Sequence, residues 1–170
     1  MKETIQVINK MVADGVIEKY AIGGAIGAAF YIEPTPTYDI DIFIAFKKIP
    51  GSAFVLLTPI YDYLRQLGYR VEGEYVVIEK WNVQFLPAED SLYAEALDHA
   101  VSTTIYEETI WVMSAEHLMA IALRTGRSKD FIRLDQFLTS HLYSEERFSQ
   151  ILGRQKMRPQ WEKFKQRFLD

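Results

Sequence analysis

The stretch that decides the fold is AIGGAIGAAFYIEPTPTYDIDIFI, residues 21–44 of a 170-residue chain. At its end, Asp39-Ile40-Asp41-Ile42 alternates acid and isoleucine, and residues 38–46 are rich in β-branched and aromatic side chains, which predicts a strand. Successive side chains of a strand point to opposite faces, so Asp39 and Asp41 share one side while Ile40, Ile42 and Ile44 point into a core. Like charges at such close positions repel unless a cation or hydrogen-bond donors offset them. A divalent cation such as Mg²⁺ suits the pair, because it takes one or two carboxylates and fills its shell with water and phosphate oxygens. Standing alone, the pair reads sooner as an edge strand with one wet face.

Upstream, Tyr20-Ala21-Ile22 is a short apolar run that ends at Gly23-Gly24, and the small residues after it suit a helix lying close on a sheet. Glycines between a strand and a helix let a phosphate approach backbone amides. On its own a glycine pair marks a turn. Pro34 and Pro36 cannot continue a helix, so a loop brings the chain through Thr37 to the acid pair. Further out, Ile5, Ile8, Val12 and Val16 predict a first helix over 2–14, stopped at Asp14-Gly15. Lys47 to Ser52 close the central strand, and Thr58 caps a helix that starts at Pro59 and ends at Gly68. YRVEGEYVVIEKWNVQFLPA holds three β-rich runs, read as consecutive antiparallel strands. A helix over 90–100, capped by Asp90 or Ser91, leads to a strand or hairpin in TTIYEETIWVM. From Ser114 onward the spacing is helical, with breaks at Gly126, Ser144 and Pro159. The expected organisation is an α/β core over residues 1–113 with a helical region, 114–170, packed on it.

Composition narrows the function classes. With 49% hydrophobic and 25% charged residues, the chain predicts one compact core and not a disordered segment. It has no cysteine, which excludes thiol nucleophiles, disulfide frameworks and Cys-type zinc sites and fits the cytoplasm. No apolar run approaches the roughly 18 residues of a membrane span, so no membrane role is expected. The first fifteen residues interleave charge with apolar side chains, unlike a signal peptide. The formal charge of -4 divides unevenly: residues 1–100 carry 14 acids against 8 bases, and residues 101–170 carry 9 against 11. An acidic region suited to cations thus precedes a basic one suited to anions, although solvated faces give the same totals.

The order of strand, Gly-Gly, helix, loop, Thr37 and Asp-Ile-Asp resembles the nucleotidyltransferase superfamily, which includes DNA polymerase β, kanamycin nucleotidyltransferase and the minimal enzymes of toxin–antitoxin systems. The likeness extends to VQFLP (83–87) and RTGRSKDFIRL (124–134), which look like an uncharacterised branch related to abortive-infection toxins. The resemblance implies an α/β (α+β) nucleotidyltransferase fold, a mixed sheet flanked by helices with a helical C-terminal part. It implies that Asp39 and Asp41 ligate Mg²⁺ as the catalytic pair. Gly23, Gly24, Thr37 and Lys129 would contact the nucleotide. The implied reaction transfers NMP from an NTP to RNA, protein or a small molecule, with a homodimer or an antitoxin-type protein as partner.

One departure separates this chain from the pattern of active members, which carry a third carboxylate on a later strand. Here the counterpart is Gln84, and glutamine can neither take a proton as a base nor ligate metal as an anion. Three explanations stay open: another acid such as Glu79 or Glu74 substitutes, the metal alone activates the acceptor, or the chain is an inactive nucleotide- or protein-binding module. Arg124, Arg127, Lys129 and Arg133 form a cationic group that suits phosphates, or else a solvated helix face paired with Asp130 and Asp135. Seven further cations from Arg147 to Arg167 alternate with Phe148, Trp161, Phe164 and Phe168, a composition compatible with RNA. The spacing of Trp161, Phe164 and Phe168 is also that of the apolar stripe of one helix, which suits core or dimer packing. His99, His117 and His141 lack metal-ligand spacing and read as structural or surface residues.

Overall fold

A computed structural model describes residues 1–45 and 57–168. Phe46, at the end of the expected central strand, and the Lys47 to Ser52 turn lie outside the described residues. The chain runs α1 (Lys2–Ala13), β1 (Lys19–Ile22), α2 (Gly24–Ala28), β2 (Asp39–Ala45), α3 (Thr58–Gln66), β3 (Arg70–Glu72), β4 (Tyr75–Ile78), β5 (Trp81–Pro87) and α4 (Ser91–Asp98). The hairpin β6 (Val101–Ile105) and β7 (Glu108–Val112) follows, and then α5 (Ala115–Thr125), α6 (Ser128–Ser140), α7 (Glu145–Arg154) and α8 (Arg158–Phe168).

Among the described residues the strands form one mixed sheet in the order β3-β4-β5-β2-β1-β7-β6. β2 lies at its centre, antiparallel to β1 and parallel to β5. The three runs after α3 are antiparallel neighbours, as their turn residues predict. Parallel pairing of β2 with β5 requires a crossover, and α3 with the β3–β4 hairpin supplies it.

Both faces of the sheet are covered, which is why β2 is apolar on both sides along most of its length. Ile40, Ile42 and Ile44 enter a core closed by Ile5, Ile8 and Met11 of α1 and by Ile60 and Leu64 of α3. The three isoleucines of β2 are each at most 1% exposed, and burying a side chain of this size contributes about 1.5–3 kcal/mol. On the other face Phe43 packs with Leu92 of α4, Leu118 of α5 and, farther out, Phe148 and Phe164 of α7 and α8. Asp39 and Asp41 belong to this second face. They stand where the helical layer parts from the sheet, so that a cleft remains between β2 and α5–α6.

Several boundaries differ from the expected ones for local reasons. α3 starts at Thr58 itself, with Leu57 as a cap that makes no side-chain bond, so Pro59 is the second helical residue. α2 is shorter than the run of small residues suggests, because after Ala28 the chain tightens into turn bonds from Phe30 to Gly27 and from Tyr31 to Ala28. α4 is capped by Asp90, whose Oδ1 accepts from the Leu92 and Tyr93 amides at 2.9 and 3.1 Å. α5 stops where Gly126 turns left-handed at φ 70°, the conformation that favours glycine after a helix.

Candidate active site

The cleft has a volume of about 260 Å³ and is lined on the sheet side by Asp39, Asp41, Tyr75 and Gln84, at the β1–α2 turn by Gly24, and on the helical side by Arg127, Lys129 and Arg133. Strand geometry assembles the sheet wall. Asp39 and Asp41 are two residues apart on β2 and share a face, and the parallel register sets Asn82 beside Asp39 and Gln84 beside Asp41. Asn82 donates its Nδ2 to Asp39 Oδ1 at 3.1 Å. Thr37 fixes the strand's start, its hydroxyl accepting from the Asp39 amide at 3.2 Å.

The glycine turn is shaped around Asp41. Gly24 has φ 56°, and a Cβ there would stand 1.9 Å from Asp41 Oδ2, so both the backbone conformation and the space demand glycine. Gly23 has a different role. Its N–H donates to the Asp41 carbonyl at 2.9 Å and continues the ladder, and a side chain on it would strike the Phe43 ring. Gly24 and Thr37 therefore line the cleft, and Gly23 does not.

The helical wall explains how the four cations divide. Arg124 turns away to clamp Asp90 with two bonds of 2.8 and 3.0 Å, stacking on Tyr93 at 4.4 Å. Arg127 and Arg133 converge on Asp130, which is 1% exposed, at 2.6 and 3.4 Å. Asp130 also accepts from the Arg127 amide and so closes the first turn of α6. Of the four, Lys129 alone makes no ion pair among the described residues, and it is exposed on the cleft. Asp130 thus holds two guanidinium groups rigid, while the lysine stays free to meet an anion.

Asp41 is half-buried, and burial pushes its carboxyl above the usual carboxylate range; Asp39 adds to the rise, while Arg133, Arg127 and Lys129 oppose it. Burial lowers the Arg133 guanidinium from its ordinary value, against the pull of Asp130 and Asp41. No group of three or more His, Cys, Asp and Glu residues suited to a metal occurs among the described residues. Two carboxylates with a side-chain amide beside each fit a hard cation that completes its shell with water and substrate oxygens.

Other candidates fall elsewhere. Glu79 accepts from the Tyr69 hydroxyl at 3.4 Å, whereas Glu74 reaches the cleft wall by bonding Gln84 at 3.1 Å. In the tail, Trp161 stacks on Phe164 at 5.5 Å and meets Phe148 edge-on, and Phe164 is buried against Phe131, so these rings serve packing. His117 is 4% exposed and stacks on His99 at 5.6 Å. No sequence spacing announces that contact, which joins α5 to the end of α4.

The structure is similar to that of the antibiotic-resistance factor ANT(2'')-Ia, with TM-score 0.56 and 16% identity over 91% of this chain and 90% of the other. It is also similar to an antigenic nucleotidyltransferase-like protein from Paracoccidioides brasiliensis, with TM-score 0.55 and 12% identity over 82% of this chain and 75% of the other. No protein-family model matches the chain, and no curated protein matches it. The structural likeness shows the fold: an α/β nucleotidyltransferase fold with a mixed sheet flanked by helices, as the sequence resemblance implies. Among the described residues no helix is long and apolar enough to cross a membrane.

Proposed function

We propose that this chain, which carries the nucleotidyltransferase fold, transfers a nucleoside monophosphate from an NTP to an acceptor, and that the cleft at Asp39 and Asp41 is its active site. The observation that carries the reading is the opposition of two walls. Two carboxylates of one strand face a helix whose Lys129 is unpaired among the described residues, across a turn that only glycine can make. An acidic wall holds a divalent cation and a basic wall holds the phosphates that share it.

In this reading Asp39 and Asp41 ligate Mg²⁺, with Asn82 steadying Asp39. When bound, Mg²⁺ supplies charge neutralisation of the phosphates and orientation of the reacting oxygens. Lys129 contacts the outer phosphates as a point charge, Arg127 and Arg133 add a fixed positive field, and Gly24 lets the turn close on the Asp41 carboxylate. The acceptor's oxygen forms a bond to the α-phosphorus, the bond from that phosphorus to the bridging oxygen breaks, pyrophosphate leaves, and the acceptor's proton passes to solvent. The acceptor is RNA, a protein or a small molecule. The toxin-type setting implied by the sequence resemblance, with an antitoxin-type partner or a second copy of the chain in the cytoplasm, belongs to the same proposal.

The test is incubation of α-labelled NTPs and Mg²⁺ with cellular RNA, protein and small-molecule fractions, comparing the parent with Asp39→Ala/Asp41→Ala. Label should move to one fraction in the parent only. Transfer that survives the double substitution would sink the assignment. A second reading, a nucleotide-binding module without catalysis, is favoured by Gln84 standing beside Asp41. It predicts Mg·NTP binding in the parent and no transfer to any fraction.

A further inference from the structure

Two amides stand beside the two carboxylates, and they behave differently. Asn82 turns its nitrogen onto its neighbour Asp39. Gln84, in the equivalent position beside Asp41, turns its Nε2 the other way and donates to Glu74 Oε2 at 3.1 Å. Glu74 sits in the turn between β3 and β4, next to Tyr75, which is the register partner of Gln84 on that side. A carboxylate only accepts hydrogen bonds, so the nitrogen branch of the Gln84 amide must face Glu74, and Oε1 on the opposite branch faces elsewhere. Among the described residues no side-chain donor bonds the Asp41 carboxylate, and Glu74 makes no ion pair.

We infer that Glu74 is a positioning residue for the cation site: it holds the Gln84 nitrogen off Asp41 and presents Gln84 Oε1 beside that carboxylate as a third, neutral oxygen. Released from Glu74, the amide has Asp41 as an adjacent acceptor, the arrangement that Asn82 already adopts with Asp39. Its N–H would then cap the carboxylate and turn a donor toward any bound cation. The acid on the neighbouring turn thus decides whether glutamine at position 84 assists a metal or blocks it.

The inference rests on the metal reading of the cleft, and its test separates the two. The probe is Mn²⁺ binding to the full chain, followed by electron paramagnetic resonance without nucleotide, in the parent, Glu74→Ala, Gln84→Ala and the double variant. Outer-shell partners of metal ligands are typically worth about tenfold or more in affinity, so Glu74→Ala should weaken Mn²⁺ about tenfold. In the Gln84→Ala background the same substitution should change nothing, because no amide remains to be held. Loss of the Glu74 charge alone would weaken Mn²⁺ equally in both backgrounds, and that result, or no loss in either, overturns the inference. Glu74→Ser, too short to reach the Gln84 nitrogen, stands in if Glu74→Ala fails to fold, with the same outcomes expected. Asp41→Asn tests the underlying reading: unchanged Mn²⁺ affinity there, or no binding in the parent, removes the metal site and this inference with it.

Discussion

Gly24→Ala should unsettle the cleft through a single methyl group. The position has φ 56°, and the added Cβ would lie 1.9 Å from Asp41 Oδ2 and 2.8 Å from its Cγ. The left-handed backbone costs an alanine about 1–2 kcal/mol. The overlap is far inside contact distance, so Asp41 must leave its rotamer, at about 0.5–1.5 kcal/mol, or the turn must shift. Together these give about 1.5–3.5 kcal/mol, which for a chain of this size lowers the melting temperature by roughly 3–14 °C. The two parts separate in Asp41→Ala, where the carboxyl that is struck is gone and the backbone term remains with only a 3.2 Å approach to the Cβ of residue 41. Gly24→Ala should therefore be milder by about 1 kcal/mol in that background, a coupling large enough to measure by urea denaturation of the four proteins. Equal costs in both backgrounds would show that the alanine does not meet Asp41, and the glycine would lose its claim to shape the site.

Asp130→Ala removes the carboxylate that Arg133 pairs with among the described residues and leaves that largely buried guanidinium with only the more distant Asp41; a loss of about 3 kcal/mol is expected in urea denaturation, and a loss under 1 kcal/mol would contradict the pairing. Lys129→Ala should leave the melting temperature within about 2 °C, because the side chain is exposed and unpaired among the described residues, while weakening Mg·ATP binding by calorimetry about tenfold; unchanged affinity would remove Lys129 from the nucleotide site. His117 gives a pH prediction. Burial holds its imidazole below the ordinary 6.5, against Glu95 and Glu116 and with help from His99, so the folded chain binds fewer protons there than the unfolded one. Stability from this group is complete above 6.5 and declines as the pH falls from there toward the lower folded value. The drop in melting temperature between roughly pH 7.5 and 5.5 should be smaller in His117→Gln than in the parent, and an equal drop would refute the assignment.

What the sequence discloses and what it hides follow from the range of the interactions. The acid pair on β2 was readable because a strand's two-residue period fixes which side chains share a face, and Gly23-Gly24 because a tight turn has few residue choices. Even there the division of labour was not readable: only the sheet register shows that Gly23 spends its amide on Asp41 while Gly24 clears space for that residue's side chain. RTGRSKD announced a positive patch, yet helical spacing treats Arg127, Lys129 and Arg133 alike. Asp130 separates them, because a carboxylate that is 1% exposed needs partners and takes the two guanidinium groups that reach it, which leaves the lysine. The Glu74–Gln84 bond lay beyond any periodicity argument. It joins residues 10 apart across the β4–β5 pair, with the acid placed by the preceding β3–β4 turn, and Gln84 acquires meaning only through the parallel pairing of β5 with β2, closed over a crossover that includes all of α3. A missing carboxylate at position 84 therefore reads as a loss in one dimension. In three dimensions an acid stands one hydrogen bond away and takes the nitrogen of the amide between them, which on the inference drawn above leaves the amide oxygen for a cation.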